Sequence, residues 1–318
     1  MYKAIKDYLA EDWTAFQEQF KSSLVTDVEL MCQINDYLSM HNGKQLRPLL
    51  CLLSAKVINP DINYNAIRCA ASSELLHMAT LVHDDVADNS ILRRGNPSIM
   101  ALYSPSAAVL VGDFWLSRAV REVTQYCDKQ VLLLFSQCIS DLAEGEIFQM
   151  SKAVSLDTTM EDYRRIIYCK TASLFRTSIL SGAYCAGASD SQIKVLENYA
   201  IHLGLSFQMM DDIMDYDTEI NSGKPVYQDI AEHKMTLPFI GACAGASAQS
   251  ISEVKEFLKK GDTDAVVAFV KEYKGVDYSY RILNEEIVAA KESLAGLPLS
   301  DARNFLLSVA DGMNSRRQ

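Results

Sequence analysis

The chain has 318 residues, of which 49% are hydrophobic and 22% are charged, proportions that are typical of a folded globular protein and exclude general disorder. It contains only 14 glycines and 7 prolines, which argues against a turn-rich all-β protein. Acidic residues outnumber basic ones by 41 to 30, and the net charge of −11 excludes binding of nucleic acid through the overall field. A polyanionic substrate would therefore need a bound metal or a local cluster of basic side chains.

Apolar residues recur at helical spacing through most of the chain. Long segments without Gly or Pro show this spacing, among them 61–94, 113–144 and 146–180, and no segment alternates convincingly at period two. No repeat, linker or shift in composition marks a boundary. We therefore expect one all-α domain over residues 1–318, a bundle of roughly ten or more helices.

Capping boxes predict where two further helices begin. Thr158 with Glu161, and Ser189 with Gln192, each place a hydroxyl three residues before a side chain that can bond back to the backbone.

The eight cysteines are scattered without a CxxC pair, so we expect buried reduced thiols rather than a zinc ribbon or a disulfide framework. The N-terminus has no apolar signal segment. The most apolar stretch, residues 107–116, is interrupted by Asp113 and is too short to span a bilayer. These features predict a cytoplasmic protein.

The first half of the chain combines basic residues with an acidic helix. Lys44 and Arg47 lie three residues apart just before a predicted helix. The following helix ends near Asp88 and carries an apolar stripe that includes Leu75 and Val82. A different face of this helix carries polar residues: His77, Thr80, Asp84 and Asp88, with Asp85 at its edge.

Basic residues recur later in the chain. They are Arg93 and Arg94 in a loop bounded by Gly and Pro, Lys170 beside Thr171 in an apolar helix, and Lys224 and Lys234 after a second acidic helix. Each alone is more often a surface charge. In an acidic chain, their positions beside the acidic motifs indicate groups that bind an anion.

The second acidic helix begins near Ser189 and has an apolar stripe that includes Leu196, Leu203 and Met210. Polar residues lie together on a face about 100° away: Gly204, Gln208, Asp211 and Asp215.

Both acidic helices contain the sequence DDxxD, formed by Asp84, Asp85 and Asp88 and by Asp211, Asp212 and Asp215. Three carboxylates this close repel one another unless a cation neutralises them. Oxygen ligands without a neighbouring Cys or His cluster favour Mg²⁺ over zinc. One such motif is more often a solvated helix face, but two with identical spacing inside apolar helices favour metal binding. We expect the two triplets to face each other and to hold a phosphorylated ligand.

Ordered motifs along nearly the whole chain resemble those of the trans-isoprenyl diphosphate synthases, the polyprenyl synthetase family, and most of all its long-chain, octaprenyl-type members. They include Gly43-Lys-Gln-Leu-Arg-Pro, Glu74-Leu-Leu-His-Met-Ala-Thr-Leu-Val-His-Asp-Asp, Arg93-Arg-Gly-Asn-Pro, Glu144-Gly-Glu, Lys170-Thr171, Phe207-Gln-Met-Met-Asp-Asp-Ile-Met-Asp and Thr236-Leu-Pro. The resemblance implies the isoprenoid synthase fold, with helices around a deep central cavity.

The resemblance also implies a role for each matching residue. Asp84, Asp85, Asp88, Asp211, Asp212 and Asp215 would bind Mg²⁺; Arg93, Lys170, Lys224 and Lys234 would hold an allylic diphosphate; Lys44, Arg47, His77 and Arg94 would hold isopentenyl diphosphate; and Thr171 and Gln208 would direct oxygen dipoles at the allylic carbocation. Of these, the implied catalytic set is Asp84, Asp85, Lys170, Thr171, Gln208, Asp211, Lys224 and Lys234. His233 departs from the pattern, because the family often has Gly at this position.

In the family, bulky aromatic residues four and five positions before the first acidic motif close the pocket. Here those positions hold Thr80 and Ala79, and such small residues predict a product longer than geranylgeranyl diphosphate. The product class indicates supply of quinone side chains. The resemblance further implies a homodimer with at most peripheral membrane contact for product release.

Four other functions are compatible with parts of this pattern. A class I terpene cyclase has one Asp-rich motif and no need for a second diphosphate site. A non-catalytic subunit of a heteromeric synthase tends to lose the Asp motifs, and both are intact here. A farnesyl or geranylgeranyl synthase would make a shorter product. A calcium-buffering module would need the Gly-centred loops of EF-hands, which the sequence lacks.

Overall fold

The computed structural model describes residues 1–40, 43–93, 95–217 and 226–314. Within these ranges nearly all regular structure is helical, so the all-α prediction is confirmed. The α-helices are α1 Tyr2–Ser23, α2 Glu29–Met40, α3 Leu46–Ile58, α4 Tyr64–Ala87, α5 Ile99–Leu102, α6 Pro105–Tyr126, α7 Lys129–Ser155, α8 Met160–Ile167, α9 Ser173–Cys185, α10 Asp190–Tyr216, α11 Gln228–Ala231, α12 Leu237–Cys243, α13 Ala248–Lys260, α14 Thr263–Glu272, α15 Gly275–Ser293 and α16 Asp301–Asn314.

Four short elements complete the described structure. Two strands, β1 Leu92–Arg93 and β2 Asn96–Pro97, pair as an antiparallel hairpin. A π-helical turn spans Tyr168–Ala172, and a 3₁₀ turn spans Leu294–Gly296.

The chain forms two compact units. The first comprises Met1–Cys138, Leu174–Glu197 and Leu294–Val309, and the second comprises Ile139–Ser173, Asn198–Ser293 and Ala310–Gln318. The single domain expected over residues 1–318 stays a prediction. Among the residues described, no helix combines the length and the apolar character needed to cross a membrane.

The first unit is built around α4, which packs against α1, α3 and α6. α4 is capped by Asn63, whose side-chain oxygen accepts from the Asn65 backbone N–H at 2.9 Å, and it continues from Tyr64 to Ala87. Leu75, Ala79 and Val82 of the predicted apolar stripe are buried. This stripe fixes the rotation of α4 and thereby the direction of its carboxylates.

α10 begins as the capping box predicts. The backbone N–H of Ser189 donates to Gln192 at 2.9 Å, and the Gln192 N–H donates to the Ser189 hydroxyl at 3.4 Å. The predicted apolar stripe is buried at Leu196, Leu203 and Met210.

The other predicted capping box, Thr158 with Glu161, is wrong by one residue. α8 is capped by Thr159, whose backbone N–H donates to Asp162 at 3.0 Å while its hydroxyl accepts from the Asp162 N–H at 3.1 Å. Asp162 also pairs with Lys152 at 3.0 Å, an interaction that Glu161 does not make.

In the second unit α12 packs against α14 and α15, and α13 packs against α14. Phe239 and Leu237 of α12 and Leu283 of α15 are fully buried in this core.

Candidate active site

The π-helical turn Tyr168–Ala172 carries Lys170 and Thr171. The sequence predicts an uninterrupted helix here, and the extra residue of the π turn is not signalled by composition or spacing. Such turns are frequent at functional sites because they displace side chains from the regular helical positions. Thr171 is buried, whereas Lys170 is half-buried.

α10 approaches this turn closely because Gly204 has no side chain. A Cβ atom at Gly204 would lie 2.4 Å from the Ala172 Cα, a distance that no other residue tolerates. One helical turn later, Gln208 reaches the same turn, and the Thr171 hydroxyl donates to the Gln208 amide oxygen at 2.7 Å. The structure thus brings together two residues that were predicted to stabilise a carbocation.

Asp212 anchors this pair. Its Oδ1 accepts from the Gln208 Nε2 at 2.8 Å, and its Oδ2 accepts from the Tyr163 hydroxyl at 2.7 Å. Only 5% of Asp212 is exposed, and this burial raises the pKa of its carboxyl group to about 7. Both Asp212 oxygens therefore hold side chains in place, which makes Asp212 a positioning residue as well as a predicted metal ligand.

The last carboxylate of the second triplet is held by the backbone. The two oxygens of Asp215 accept from the N–H groups of Gln228 and Asp229, each at 3.0 Å. Loss of solvation, followed by repulsion from Asp212 and Asp215, raises the pKa of Asp229 well above its ordinary value. A concentration of negative charge therefore surrounds the end of α10.

The donor set of both triplets suits Mg²⁺. Every predicted ligand offers oxygen, the preference of a hard divalent cation. The raised pKa values of Asp212 and Asp229 reflect burial and carboxylate repulsion, and a bound dication would offset that repulsion. In the first unit Asp84 is half-buried and Asp88 is exposed, so neither is enclosed by the core.

The β1–β2 hairpin returns Arg93 to the first triplet. The Arg93 guanidinium donates to Asp85 Oδ1 at 2.8 Å through Nε and contacts it at 2.5 Å through an Nη atom. Asp85 is 3% exposed, and burial raises its pKa despite the opposing effect of Arg93. Asp85 therefore orients the predicted diphosphate-binding arginine. Arg94, a predicted isopentenyl diphosphate ligand, lies outside the described residues.

In the second unit, two lysines that were predicted to bind a diphosphate contact the same side-chain amide, that of Gln149. With its oxygen facing them, Gln149 accepts from Lys170 at 3.1 Å and from Lys234 at 3.2 Å. Lys170 also pairs with Glu146, and Lys234 pairs with Glu232. The two ammonium groups are thus held side by side, as binding of one diphosphate would require. Lys224 lies outside the described residues.

Lys234 follows a residue with an unusual backbone conformation. His233 has φ 56°, in the left-handed region that glycine adopts without strain, and its ring Nδ1 lies 2.8 Å from the Leu258 carbonyl oxygen. This conformation explains why Gly suits the position in the family.

The predicted isopentenyl diphosphate residues lie in the first unit. A cavity of about 70 Å³ is lined by His77 and Arg93 together with Asp85 and Gly43. Lys44, next to Gly43, lies over the Tyr2 ring at 5.3 Å, and the Arg47 guanidinium lies over the Phe175 ring at 5.1 Å. The structure therefore places His77 and Arg93 on one cavity, with Lys44 just before α3 and Arg47 in its first turn.

The two predicted chain-length residues differ in their surroundings. Ala79 is 1% exposed within the core of the first unit. Thr80 is half-buried, and its hydroxyl donates to the His77 carbonyl oxygen at 2.8 Å. Thr80 is therefore less tightly enclosed than Ala79.

The sequence model of the family described as Polyprenyl synthetase matches residues 28–273. The chain belongs to the polyprenyl synthetase family. It is 35% identical over 304 residues to an octaprenyl diphosphate synthase of Haemophilus influenzae, covering 94% of this chain and 92% of that protein. Members of this family are prenyltransferases.

Solved structures of polyprenyl synthetases share this fold. A decaprenyl diphosphate synthase from Rhodobacter capsulatus superposes with a TM-score of 0.94 at 30% identity, covering 100% of both chains. A polyprenyl synthase from Caulobacter crescentus CB15, in complex with calcium and isoprenyl diphosphate, has a TM-score of 0.92 at 29% identity, covering 100% of this chain and 98% of that one. The predicted isoprenoid synthase fold is confirmed.

The sequence did not predict that three residues of this polyprenyl synthetase contribute to the site: Tyr163, Gln149 and Asp229. Tyr163 lies 49 positions before Asp212, a separation that no local pattern encodes. Gln149 follows the Glu144-Gly-Glu motif by one helical turn, which is the one signal that could have found it.

Proposed function

We propose that the chain condenses an allylic diphosphate with successive molecules of isopentenyl diphosphate to form a long all-trans polyprenyl diphosphate. The proposal rests on one observation, the arrangement of four side chains and a glutamine amide in the second unit. There Lys170 and Lys234 share the Gln149 oxygen, and the adjacent Thr171 bonds to Gln208. Paired cations next to oriented oxygen dipoles suit a reaction in which a diphosphate leaves and a carbocation forms.

Different side chains have different roles in the reaction. Arg93, Lys170 and Lys234 bind the diphosphate as its C–O bond breaks, and the oxygens of Thr171 and Gln208 stabilise the allylic cation. The C4 carbon of isopentenyl diphosphate attacks this cation, and the proton that is then lost passes to the released diphosphate. No nucleophilic side chain is required.

The Asp triplets would hold Mg²⁺. Asp84, Asp88, Asp211 and Asp215 are the carboxylates that are not fully buried, whereas Asp85 and Asp212 hold neighbouring side chains. When bound, Mg²⁺ supplies electrostatic stabilisation of the leaving diphosphate.

A long product is supported by Thr80 and Ala79, which are small, and by the similarity to octaprenyl and decaprenyl diphosphate synthases. Supply of quinone side chains follows from the product class alone. A farnesyl or geranylgeranyl synthase is the alternative, and the length of the product distinguishes it from a long-chain synthase.

The deciding experiment incubates the purified chain with labelled isopentenyl diphosphate, Mg²⁺ and, separately, geranyl, farnesyl and geranylgeranyl diphosphates. Products are dephosphorylated and sized by chromatography. We expect a ladder ending above geranylgeranyl length. Lack of turnover by the chain alone would identify it instead as one component of a heteromeric synthase, and a product that stops at farnesyl or geranylgeranyl would contradict the long-chain proposal.

We also propose that two copies of the chain associate. Val109 and Leu110 on α6 expose 40% and 65% of their surfaces, and contact with a second copy of the chain would bury them. Light scattering should give twice the 35.4 kDa mass of the chain, and Leu110→Glu should shift the mass towards the monomer. Flotation with lipid vesicles tests the peripheral membrane contact expected for product release.

A further inference from the structure

Three cysteines that are far apart in the sequence meet within the first unit. Cys69 lies in α4, Cys127 directly follows α6, and Cys185 ends α9. The Cys69 sulfur lies 3.5 Å from that of Cys127 and 3.7 Å from that of Cys185, and all three sulfurs lie within 4.8 Å of one another. We call this group the thiol cluster.

The spacing of the thiol cluster matches a set of metal ligands. With a zinc–sulfur bond of about 2.3 Å, two sulfurs at the tetrahedral angle are separated by about 3.8 Å. A disulfide would need about 2.05 Å and would join only two of the three sulfurs. Small side-chain rotations would therefore place all three sulfurs around one ion.

The surroundings of the cluster favour a divalent ion. Thiolates bind thiophilic metals in preference to hard ones. A complex of three thiolates with one Zn²⁺ ion has a net charge of −1. Arg68 lies beside the cluster, with its guanidinium 3.9 Å from the ring centre of Tyr126, the residue before Cys127.

We propose that Cys69, Cys127 and Cys185 form a structural site for Zn²⁺. Cys127 and Cys185 are half-buried, so a water molecule can complete the coordination. The ion would join α4 to the ends of α6 and α9, across separations of 58 and 116 residues. Since the unfolded chain does not hold these thiols together, metal binding would stabilise the folded state.

The site is independent of the reaction proposed above. Cys69 precedes Asp84 by fifteen positions, a distance of about 22 Å along α4 at 1.5 Å per residue. Condensation activity with Mg²⁺ should therefore persist when the cluster is altered.

The test uses the reduced full chain, dialysed against Zn²⁺ in the presence of excess Mg²⁺, which saturates the carboxylate sites. We expect one zinc per chain by elemental analysis, a higher midpoint of thermal unfolding, and protection of Cys127 and Cys185 from alkylation. Replacement by Co²⁺ should produce sulfur-to-cobalt charge-transfer absorption.

Cys127→Ser should abolish the zinc stoichiometry, the thermal shift and the cobalt band, while Cys243→Ser, at a half-buried cysteine outside the cluster, should retain all three. If Cys127→Ser does not fold, alkylation mapping of the unaltered chain still tests the proposal. Zinc retained by Cys127→Ser, a cobalt spectrum without sulfur charge transfer, or alkylation that zinc does not slow would each overturn the proposal.

Discussion

The Thr171 hydroxyl donates to the Gln208 amide oxygen at 2.7 Å, and the amide nitrogen donates in turn to Asp212 at 2.8 Å. The second bond fixes the orientation of the Gln208 amide, because exchanging its oxygen and nitrogen would place the amide oxygen against the Asp212 carboxylate, which can only accept. The Thr171 oxygen keeps its lone pairs for a cation, since its proton is committed to Gln208. A buried carboxylate therefore orients the dipoles that we assign to carbocation stabilisation.

Thr171→Val removes the hydroxyl and preserves the shape of the side chain. We expect kcat to fall by about two- to tenfold, because a hydrogen bond contributes about 0.5–1.5 kcal/mol and tenfold corresponds to about 1.4 kcal/mol. The KM for the allylic diphosphate should change little. Steady-state kinetics with circular dichroism measures both activity and folding.

Thr177→Val is the matched control, because Thr177 is a buried threonine of α9 in the first unit, where its hydroxyl donates to the Leu134 carbonyl oxygen at 3.4 Å. An unchanged kcat in Thr171→Val would contradict the role assigned to this hydroxyl.

Local sequence patterns predicted the two acidic helices well and their supporting contacts poorly. The apolar stripes of α4 and α10 fix which face carries the carboxylates, and both stripes are buried as expected. The helical spacing also placed Asp85 at the edge of its face. It could not show that Asp85 is buried against Arg93, because that contact depends on the β1–β2 hairpin.

Contacts between distant parts of the chain explain the remaining errors. Thr158 and Thr159 both begin a capping pattern, and Lys152 from α7 favours the second by pairing with Asp162. The cysteines at 69, 127 and 185 are far apart in the sequence. Helix packing brings them together in space, and no sequence spacing indicates this. The π turn that carries Lys170 likewise packs against α10 at Gly204, a contact that local spacing does not encode.

Gln149→Leu removes the oxygen that Lys170 and Lys234 share. The two ammonium groups would then lose their alignment, and we expect the KM for the allylic diphosphate to rise about tenfold or more, as hydrogen bonds to charged groups contribute about 1.5–3 kcal/mol. The KM for isopentenyl diphosphate should stay unchanged. Gln249→Leu, which alters an exposed glutamine of α13 paired with Glu253, is the control. Equal increases in both KM values would argue against a role specific to the allylic substrate.

Thr80→Phe should shorten the product, because a ring at this half-buried position reduces the space available to the growing chain. Thr80→Val keeps the volume and should leave the product unchanged. Ala79→Phe is expected to destabilise the fold instead, since Ala79 is enclosed by the core and overpacking costs about 1–3 kcal/mol. Chromatography of the dephosphorylated products checks the lengths, and the same product from Thr80→Phe as from the unaltered chain would show that Thr80 does not limit the pocket.

Glu286 should make the stability of the second unit sensitive to acid. Its carboxylate accepts from Arg164 at 2.7 Å and lies 2.7 Å from the His202 ring nitrogen. Burial tends to raise its pKa, but the hydrogen bonds from His202 and Arg164 outweigh burial and lower the pKa below the ordinary 4.5. A carboxyl group with a lowered pKa in the folded state stabilises fully above pH 4.5 and loses this effect as the pH falls through the folded value.

Glu286→Gln should therefore lower the free energy of unfolding by about 1–2 kcal/mol near neutral pH, and the difference from the unaltered chain should shrink as the solution is acidified. Thermal unfolding of both proteins across this range measures the difference. Glu285→Gln, at the neighbouring exposed position, should show no such convergence. A difference for Glu286→Gln that stays constant in acid would mean that the ionised carboxylate is not what stabilises the fold.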